Sequence, residues 1–359
     1  MTEKLNIAFI VGSLNGGGAE RVISEMANYW AKEGKNVSIL ALKREKPFYS
    51  LHPEVQYIEL GLAVKSRFFF DGLVHGIYEV KAISKTLKRN NIEVAISFFA
   101  GINILSVMAA KIAHIPVIIS ERSNPFFVKL SFKWVIARKW FYRLANYLVV
   151  QTEAVKPYYK NFGVKATNIP NPVPGIKVDT TKKEKTILAV GRLEKLKGFE
   201  LLMEAFKEAG LPDEWKLKIV GDGKYEDTLI KYRNEAGLKD KVIFPGRIKD
   251  MGEVYGKASV FVLSSMYEGF PNALIEAMSA GLPVISFNCK FGPEEIIEHR
   301  ENGILVEAFD TKELAKEIHD LVYNEKERIR LGRNAIKVKE KYSCQKIMDK
   351  WEEVIDSIS

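Results

Sequence analysis

The sequence contains few of the residues that build disulfide frameworks or metal sites. Cys289 and Cys344 are its only cysteines, and they lie far apart in the chain. This number and spacing exclude a disulfide framework and a cysteine-based zinc site. No Asp-x-Asp motif occurs in the chain, which argues against a divalent ion held by such a pair. We therefore expect a reduced, cytoplasmic protein without a metal or other cofactor.

Long hydrophobic runs are also missing. The most apolar stretch, residues 94–119, is interrupted by polar or structure-breaking residues: Gly101, Asn103, Lys111, His114 and Pro116. A bilayer-spanning helix needs about 20 predominantly apolar residues in succession, so a core helix followed by a strand explains this stretch better. No cleavage site follows the first strand pattern, so no signal peptide is expected.

The charge is strongly asymmetric along the chain. The formal net charge is +9, and residues 1–170 contain 23 Lys and Arg against 12 Asp and Glu, whereas the remainder contains 31 against 33. A basic N-terminal half attracts phosphate-rich partners such as nucleic acid, an anionic membrane surface or a phosphorylated acceptor. Because the chain has no motif of a common nucleic-acid-binding module, we expect no nucleic acid partner.

The pattern of strands and helices predicts two α/β domains. Short apolar runs alternate with helical patterns on both sides of "IPNPVPG", residues 169–175, whose prolines interrupt helix and strand alike. We assign residues 1–168 and 169–343 to two Rossmann-like, doubly wound domains that face each other across a cleft. As a further hypothesis, the terminal helix at about 344–359 packs back on the first domain.

A glycine-rich loop follows the first predicted strand. In "GSLNGGGAER", Gly16 and Gly17 precede a predicted helix N-terminus, whose free N–H groups suit a phosphate. The loop has neither the spacing of a dinucleotide fingerprint nor the Lys-Ser/Thr pair of a P-loop. A tight turn made only for packing is the alternative.

Two cations follow the first strand of the second domain. In "VGRLEKLKGFELL", Arg192 comes directly after the strand and Lys197 lies near the start of the next helix. A guanidinium and an ammonium group near a helix N-terminus suit a diphosphate. The alternative is a pair of solvated surface cations.

Two carboxylates flank a later turn. In "YEGFPNALIEAMSAGLPVIS", Glu268 lies in a loop, Asn272 is the predicted N-cap of a helix from Ala273, and Glu276 lies inside that helix. Glu268 can accept hydrogen bonds from sugar hydroxyls, and Glu276 can accept two from vicinal ribose hydroxyls. A solvated loop residue and a first-turn glutamate that complements the helix dipole are the alternatives.

In combination these segments resemble the retaining glycosyltransferases of family 4, which have the GT-B fold. The resemblance rests on Glu-x7-Glu within "EGFPNALIEAMSAGLPVI", on "VGRLEKLKG", on "VGDG" and on "GGGAER", and it spans nearly the whole chain. It implies transfer of a sugar from a nucleoside-diphosphate sugar to a hydroxyl group, with UDP as the expected nucleotide. The absence of Asp-x-Asp predicts that this transfer is metal-independent.

The resemblance also implies roles for individual residues. Arg192 and Lys197 match the residues that hold the donor diphosphate, Glu268 the glutamate near the donor sugar, and Glu276 the glutamate on the ribose. The other implied donor contacts, many through backbone groups, are Gly16, Gly17, Gly221, Gly223, Arg247, Ile248, Phe270, Pro271, Asn272, Ala273 and Leu274.

One segment departs from the family pattern. Many relatives have a histidine near the donor sugar, where this chain has Glu121 and Arg122 in "ISERSNP". No imidazole role is therefore assigned. Glu121 and Arg122 are candidate acceptor contacts, and an ion pair of Glu121 with Arg122 or another neighbour is the alternative.

Residues 129–147 suggest a lipid-linked acceptor. Leu130, Trp134, Ala137, Phe141 and Leu144 follow one helical stripe, and Lys129, Lys133, Trp140 and Arg143 follow a neighbouring one. With Arg67 and Phe68–Phe70, they suit an anionic membrane surface and a glycan or polyprenyl-diphosphate-linked saccharide acceptor. A core helix with a solvated basic side is the alternative interpretation of residues 129–147.

For the protein as a whole, the alternative function is that of a sugar-nucleotide epimerase or of a noncatalytic, nucleotide-sugar-binding partner subunit.

Overall fold

The computed structural model describes residues 4–62, 69–122, 125–126, 132–173, 178 and 182–358. The chain divides into two compact units. The first unit comprises Met1–Pro172 and Gln345–Ser359, and the second comprises Val173–Cys344. The division falls inside the proline-rich segment, four residues beyond the boundary placed from the sequence.

The first unit is built on a parallel sheet of seven strands in the order β3-β2-β1-β4-β5-β6-β7. The strands are β1 Asn6–Val11, β2 Asn36–Ala41, β3 Gln56–Glu59, β4 Val94–Phe98, β5 Val117–Ser120, β6 Tyr147–Val150 and β7 Ala166–Asn168. The helices are α1 Gly18–Lys32, α2 Phe69–Arg89, α3 Ala100–Ala113 and α4 Phe132–Tyr142, with a 3-10 helix at Glu153–Phe162. Central strands such as β4 are fully buried, which explains their continuous apolar character.

The second unit has a parallel sheet of six strands in the order β10-β9-β8-β11-β12-β13. The strands are β8 Thr186–Val190, β9 Lys216–Val220, β10 Val242–Ile243, β11 Val260–Leu263, β12 Val284–Asn288 and β13 Ile304–Glu307. The helices are α5 Phe199–Glu208, α6 Glu226–Glu235, α7 Met251–Lys257, α8 Asn272–Ser279, α9 Pro293–Ile296, α10 Thr311–Tyr323, α11 Glu325–Ala335 and α12 Val338–Lys341, with a 3-10 turn at Lys195–Lys197.

The last helix, α13 (Cys344–Asp356), belongs almost entirely to the first unit. Its Trp351 is 1% exposed, and the ring centroid lies 6.2 Å from that of Phe98. On the same helix, Glu352 accepts a hydrogen bond of 2.9 Å from the indole nitrogen of Trp30. The helix therefore completes the core of a sheet that was built from the beginning of the chain.

Both sheets reverse their strand order once, between β1 and β4 in the first unit and between β8 and β11 in the second. This topology confirms the predicted α/β class with two doubly wound parallel sheets. Ligands of such sheets bind outside the carboxyl ends of the strands, at the point of reversal. In the second unit, Arg192 and Glu268 follow the two strands that flank this point.

Candidate active site

The loops that follow β8 and β11 are joined by two hydrogen bonds. The hydroxyl of Ser264 donates a 2.9 Å hydrogen bond to the carbonyl of Lys197, and the Met266 N–H donates one of 2.9 Å to the carbonyl of Leu196. These bonds hold the turn that carries Lys197 against the loop that leads to Glu268. The two loops are thus held together by one side-chain donor and one main-chain donor.

Glycine makes this close approach possible at two positions. Gly198 has φ of 63°, and a Cβ atom there would lie 2.1 Å from the carbonyl oxygen of Ser264. Gly221 has φ of 149°, and a Cβ atom there would lie 1.9 Å from the carbonyl oxygen of Gly191. A larger residue at either position would be strained and would push the loops apart.

The structure brings Lys197 and Glu268 together. Lys197 Nζ lies 2.7 Å from Glu268 Oε1. The lysine side chain is 24% exposed and the carboxylate side chain 8%. The two side chains therefore form a partly buried ion pair at the end of the sheet, in which the ammonium group belongs to the more exposed side chain.

Arg192 lies in the same loop but at the surface. Its side chain is 74% exposed, and Nη1 lies 3.3 Å from Glu194 Oε1. An exposed pair of this kind contributes little stability. The position agrees both with a solvated cation and with a guanidinium that is accessible to a ligand.

Glu276 is held by a residue that sequence reasoning missed. Tyr255 on α7 donates a 2.9 Å hydrogen bond from its hydroxyl group to Glu276 Oε2. The tyrosine is fully buried, and the glutamate is 8% exposed. The hydrogen bond restricts the rotation of the carboxylate. Since it joins two helices, no local sequence signal indicated it.

The start of α8 differs from the prediction. The helix begins at Asn272, and Pro271 is its N-cap, so the prediction that Asn272 caps a helix from Ala273 is wrong by one residue. The carbonyl of Pro271 accepts the first bond, 3.0 Å long, from the Leu274 N–H. The fixed φ of proline suits this entry into the helix.

The other predicted donor residues of the second unit differ in exposure. Phe270 is 8% exposed and Leu274 fully buried, so their side chains serve the core and only their backbones suit ligand contact. Pro271 is also buried, Ala273 and Gly221 are partly exposed, and Arg247 and Gly223 are exposed. Ile248 packs against the core.

A buried thiol lies in the same region. Cys289 directly follows β12 and is 1% exposed. Burial raises the pKa of its thiol to about 12, and the negative charge of Glu268 acts in the same direction. The sequence indicated this location only indirectly, because Cys289 directly follows β12 of the second sheet.

In the first unit, the glycine loop leads directly into α1. Gly17 is the N-cap of α1, and no side chain in the described part of the protein caps this helix. The carbonyl of Gly16 accepts a 3.2 Å hydrogen bond from the Tyr49 hydroxyl. The first N–H groups of a helix have no partner within the helix, so the start of α1 is compatible with the predicted phosphate contact, which stays a prediction.

Glu121 and Arg122 occupy different environments after β5. Glu121 is 3% exposed; its Oε1 lies 3.0 Å from Nη2 of Arg138 and accepts a hydrogen bond from Tyr142. Burial raises the pKa of the Glu121 carboxyl, and Arg138 opposes this effect. The ion-pair partner of Glu121 is therefore Arg138 on α4 and not Arg122.

Helix α4 has a buried polar face and an exposed aromatic face. On α4, Arg138 and Tyr142 are buried, whereas Trp134 is 48% exposed and Trp140 56%; Leu144, which lies beyond the end of the helix, is 42% exposed. The guanidinium carbon of Arg143 lies 3.8 Å from the ring centroid of Trp140. The alternative of a core-facing stripe is wrong for Trp134 and Leu144.

Part of the predicted membrane surface lies outside the described residues. This applies to Arg67, Phe68, Lys129 and Leu130, and to the side chains of Phe69, Phe70 and Lys133. Within the described ranges, no helix is both long enough and apolar enough to cross a bilayer. The described residues also include no cluster of three or more His, Cys, Asp or Glu side chains placed to hold a metal ion.

Comparison with known proteins identifies related sequences and folds. Residues 16–174 match the family model "Glycosyltransferase Family 4", and residues 176–338 match "Glycosyl transferases group 1". The chain is 31% identical over 364 residues to a Campylobacter jejuni protein, covering 99% of each chain. That protein is named an alpha-1,4-N-acetyl-D-galactosaminyltransferase of a GalNAc-GalNAc-diNAcBac-PP-undecaprenol acceptor.

Two further proteins are similar over the full length. An uncharacterized glycosyltransferase of Haemophilus influenzae is 28% identical, with 97% of this chain and 98% of that protein covered. The Anabaena protein HepE, solved in complex with UDP and glucose, is 18% identical with a TM-score of 0.82, covering 98% of this chain and 100% of that one. At that identity the structural similarity shows the fold alone.

Proposed function

Because the chain belongs to the family 4 glycosyltransferases of GT-B fold, we propose that it transfers a sugar from a UDP-sugar to a hydroxyl group of a lipid-linked glycan, with retention of the anomeric configuration. The observation that carries this proposal is the ion pair of Lys197 with Glu268 at the point of reversal of the second sheet. Support comes from the undecaprenol-linked acceptor in the name of the Campylobacter relative and from the UDP bound to HepE.

The leaving group in this reaction is a nucleoside diphosphate, so catalysis consists largely of stabilising the charge that grows on it. An ammonium group has three N–H donors, so Lys197 can remain paired with Glu268 and still donate to a phosphate oxygen. Arg192 would add a planar guanidinium from the same loop. Glu268 would accept from the donor sugar, and Glu276 would accept from the ribose hydroxyls.

The same residues suit turnover without a divalent ion, because two cations would take the place of a metal at the diphosphate. We expect the rate to be unchanged by EDTA and unaffected by added Mg²⁺ or Mn²⁺. Loss of activity with EDTA and its recovery with a divalent ion would contradict this expectation.

A panel of nucleotide-sugars, tested with and without a lipid-linked saccharide, examines the function directly. The transferase proposal predicts release of nucleoside diphosphate that depends on the acceptor, together with a glycosylated product. Interconversion of the sugar-nucleotide without acceptor would indicate an epimerase. Donor binding without any turnover would indicate a noncatalytic partner subunit.

Replacement of the two cations tests their roles. Lys197→Ala should lower kcat/KM about 10²- to 10³-fold, as expected for a group that stabilises transition-state charge, and Arg192→Ala should lower it at least about tenfold. Lys195→Ala is the matched control, because Lys195 is exposed in the same 3-10 turn, and it should retain the parental rate. A change of less than about threefold in Lys197→Ala or Arg192→Ala would contradict the assignment.

A further inference from the structure

Arg122 is a half-buried cation that has no carboxylate partner among the described residues. It follows β5, and its Nε and Nη2 atoms are buried without a hydrogen-bond partner in the described part of the chain. Its Nη1 donates to Oδ1 of Asn171, but a side-chain amide carries no net charge. No ion pair among the described residues includes Arg122. Buried donors without partners cost free energy, so this arrangement calls for an anionic ligand.

The adjacent carboxylate does not supply this charge. Glu121 is ion-paired at 3.0 Å with Arg138, and the same nitrogen of Arg138 donates at 2.7 Å to the hydroxyl of Tyr159. Two arginines of the first unit thus differ in their partners. Arg138 has a buried carboxylate as its partner, whereas no carboxylate of the described residues pairs with Arg122.

Aromatic rings surround the Arg122 guanidinium without neutralising it. Its central carbon lies 4.6 Å from the ring centroid of Phe98 and 5.9 Å from that of Trp351. Cation–π contacts contribute about 0.5–2 kcal/mol, which is less than the several kcal/mol that desolvation of an ion costs. In agreement, burial lowers the pKa of Arg122 to about 9, so the group is still a cation at neutral pH.

The N-terminus of α3 lies at the same edge of the sheet. Phe98 ends β4 and pairs in register with Ser120, the last residue of β5, while α3 begins at Ala100. No described side chain caps α3, and the first N–H groups of a helix have no partner within the helix. These N–H groups and the positive end of the helix dipole suit an anion.

A buried hydrogen-bond network holds these two parts together. Asn103, in the first turn of α3, donates 3.1 Å to the carbonyl of Ser120 and 3.2 Å to the hydroxyl of Tyr142. It also accepts 2.8 Å from the hydroxyl of Ser97. The start of α3 is therefore attached to the end of β5, immediately before Glu121 and Arg122.

We propose that Arg122 and the first turn of α3 bind a phosphate group of the acceptor. A guanidinium presents a planar fork that matches phosphate oxygens, and the basic excess of residues 1–170, 23 Lys and Arg against 12 Asp and Glu, favours such a ligand. The phosphate belongs either to the diphosphate of a lipid-linked saccharide or to a water-soluble phosphorylated glycan. The acceptor identity rests on the proposed function, whereas the anion site does not.

Pyrophosphate titrations of the full chain test the site without any transfer reaction. They are made in a Lys197→Ala background, so that the diphosphate site of the second unit is weakened in every sample. Arg122→Met should weaken pyrophosphate binding about 10- to 100-fold, the loss expected for charge-assisted hydrogen bonds. Arg89→Met, which removes an exposed arginine at the end of α2, should leave binding unchanged.

Thermal unfolding separates a ligand-binding role from a structural one. Without pyrophosphate, Arg122→Met should melt at or above the parental Tm, because methionine keeps much of the packing and removes an unneutralised charge. A lower Tm with unchanged pyrophosphate affinity would overturn the proposal. If Arg122→Met does not fold, Arg122→Lys decides, because a loss of the guanidinium fork should weaken binding several-fold, and unchanged affinity would overturn the site.

Steady-state kinetics show whether Arg122 contributes to acceptor binding or to donor binding, and which of the two sources supplies the phosphate. Arg122→Met should raise KM for a phosphorylated acceptor and leave KM for the donor unchanged, and it should not affect an acceptor without phosphate. A rise of the donor KM alone would overturn the acceptor assignment. Comparison of a lipid-diphosphate saccharide with its water-soluble phosphorylated analogue identifies the source. If no donor is turned over, the proposed function fails while pyrophosphate binding still decides the anion site.

Discussion

At the scale of single residues, the two carboxylates of the second unit are equally buried but differently held. Glu268 pairs with the ammonium group of Lys197, which is partly accessible. Glu276 accepts from Tyr255, which is fully buried. In the proposed donor site, Glu268 would therefore share its cationic partner with the ligand, whereas the hydrogen bond from Tyr255 would orient the Glu276 carboxylate before the ligand binds.

Tyr255→Phe tests this orientation, because it removes the hydroxyl and keeps the buried ring. We expect KM for the nucleotide-sugar to rise about 3- to 10-fold with kcat nearly unchanged, which corresponds to one lost hydrogen bond to a charged group. The affinity for a 2′,3′-dideoxy nucleoside diphosphate should not change, since that ligand has no ribose hydroxyls for Glu276 to bind.

Tyr342→Phe is the matched control. Tyr342 is also a buried tyrosine of the second unit, but its hydroxyl bonds the backbone carbonyl of Glu295. It should leave donor affinity unchanged. Equal losses for the ordinary and the dideoxy nucleotide in Tyr255→Phe would indicate a general packing defect and contradict the positioning role.

At the scale of secondary-structure elements, α4 shows how a buried polar network determines which face of a helix packs inward. Apolar periodicity placed Trp134 and Leu144 on one stripe, yet the face that packs inward carries Arg138 and Tyr142. These residues are buried because they complete the hydrogen bonds of Glu121. The aromatic and basic side chains Trp134, Trp140 and Arg143 are consequently left near the surface.

This exposed face supports our proposal of attachment to an anionic membrane. Flotation with liposomes rich in phosphatidylglycerol should recover the chain, and flotation with phosphatidylcholine alone should recover much less. The double variant Trp134→Ser, Trp140→Ser should lower partitioning about 5- to 50-fold, because it removes two interfacial side chains.

Tyr78→Ser provides the control for flotation, since Tyr78 is 62% exposed on α2 of the same unit. It should bind liposomes as the parental chain does. Equal recovery of all variants with anionic liposomes, or no recovery of the parental chain, would remove the membrane proposal.

At the scale of the whole molecule, the first unit is closed by the end of the chain. Residues 345–359 join a unit otherwise made of residues 1–172. The main anchor is Trp351, which packs on Phe98. Because Trp351 is buried there, α13 contributes to the stability of the first unit. Residues 173–344, which lie between the two segments of this unit, form the second unit.

Trp351→Ala should therefore destabilise the first unit by about 3–5 kcal/mol, the usual cost of truncating a buried aromatic side chain. Urea unfolding followed by hydrogen exchange can assign the lost protection to strands β1 and β4. Glu353→Ala, an exposed position on the same helix, should unfold as the parental chain does. Protection lost first from β8 and β11 would show that α13 stabilises the second unit instead.

The sequence by itself determined the α/β class, the interruption near residues 169–175 and the loops that carry Arg192, Lys197, Glu268 and Glu276. These features depend on local periodicity, proline and glycine placement and strand order, which neighbouring residues in the chain specify. The start of α8 was misplaced by one residue, because cap residues such as Pro271 and Asn272 compete over a single turn.

Only the tertiary structure decided which side chains meet. The pairing of Lys197 with Glu268, the hydrogen bond from Tyr255 to Glu276 and the contact of the Arg122 guanidinium with Phe98 join residues from distant parts of the chain. Burial and hydrogen-bond partners depend on packing between elements, and a local pattern contains no information on that packing. For the same reason, the sequence indicated Glu121 and Arg122 together as candidates. In the described part of the chain, Glu121 pairs with Arg138, and no carboxylate pairs with Arg122.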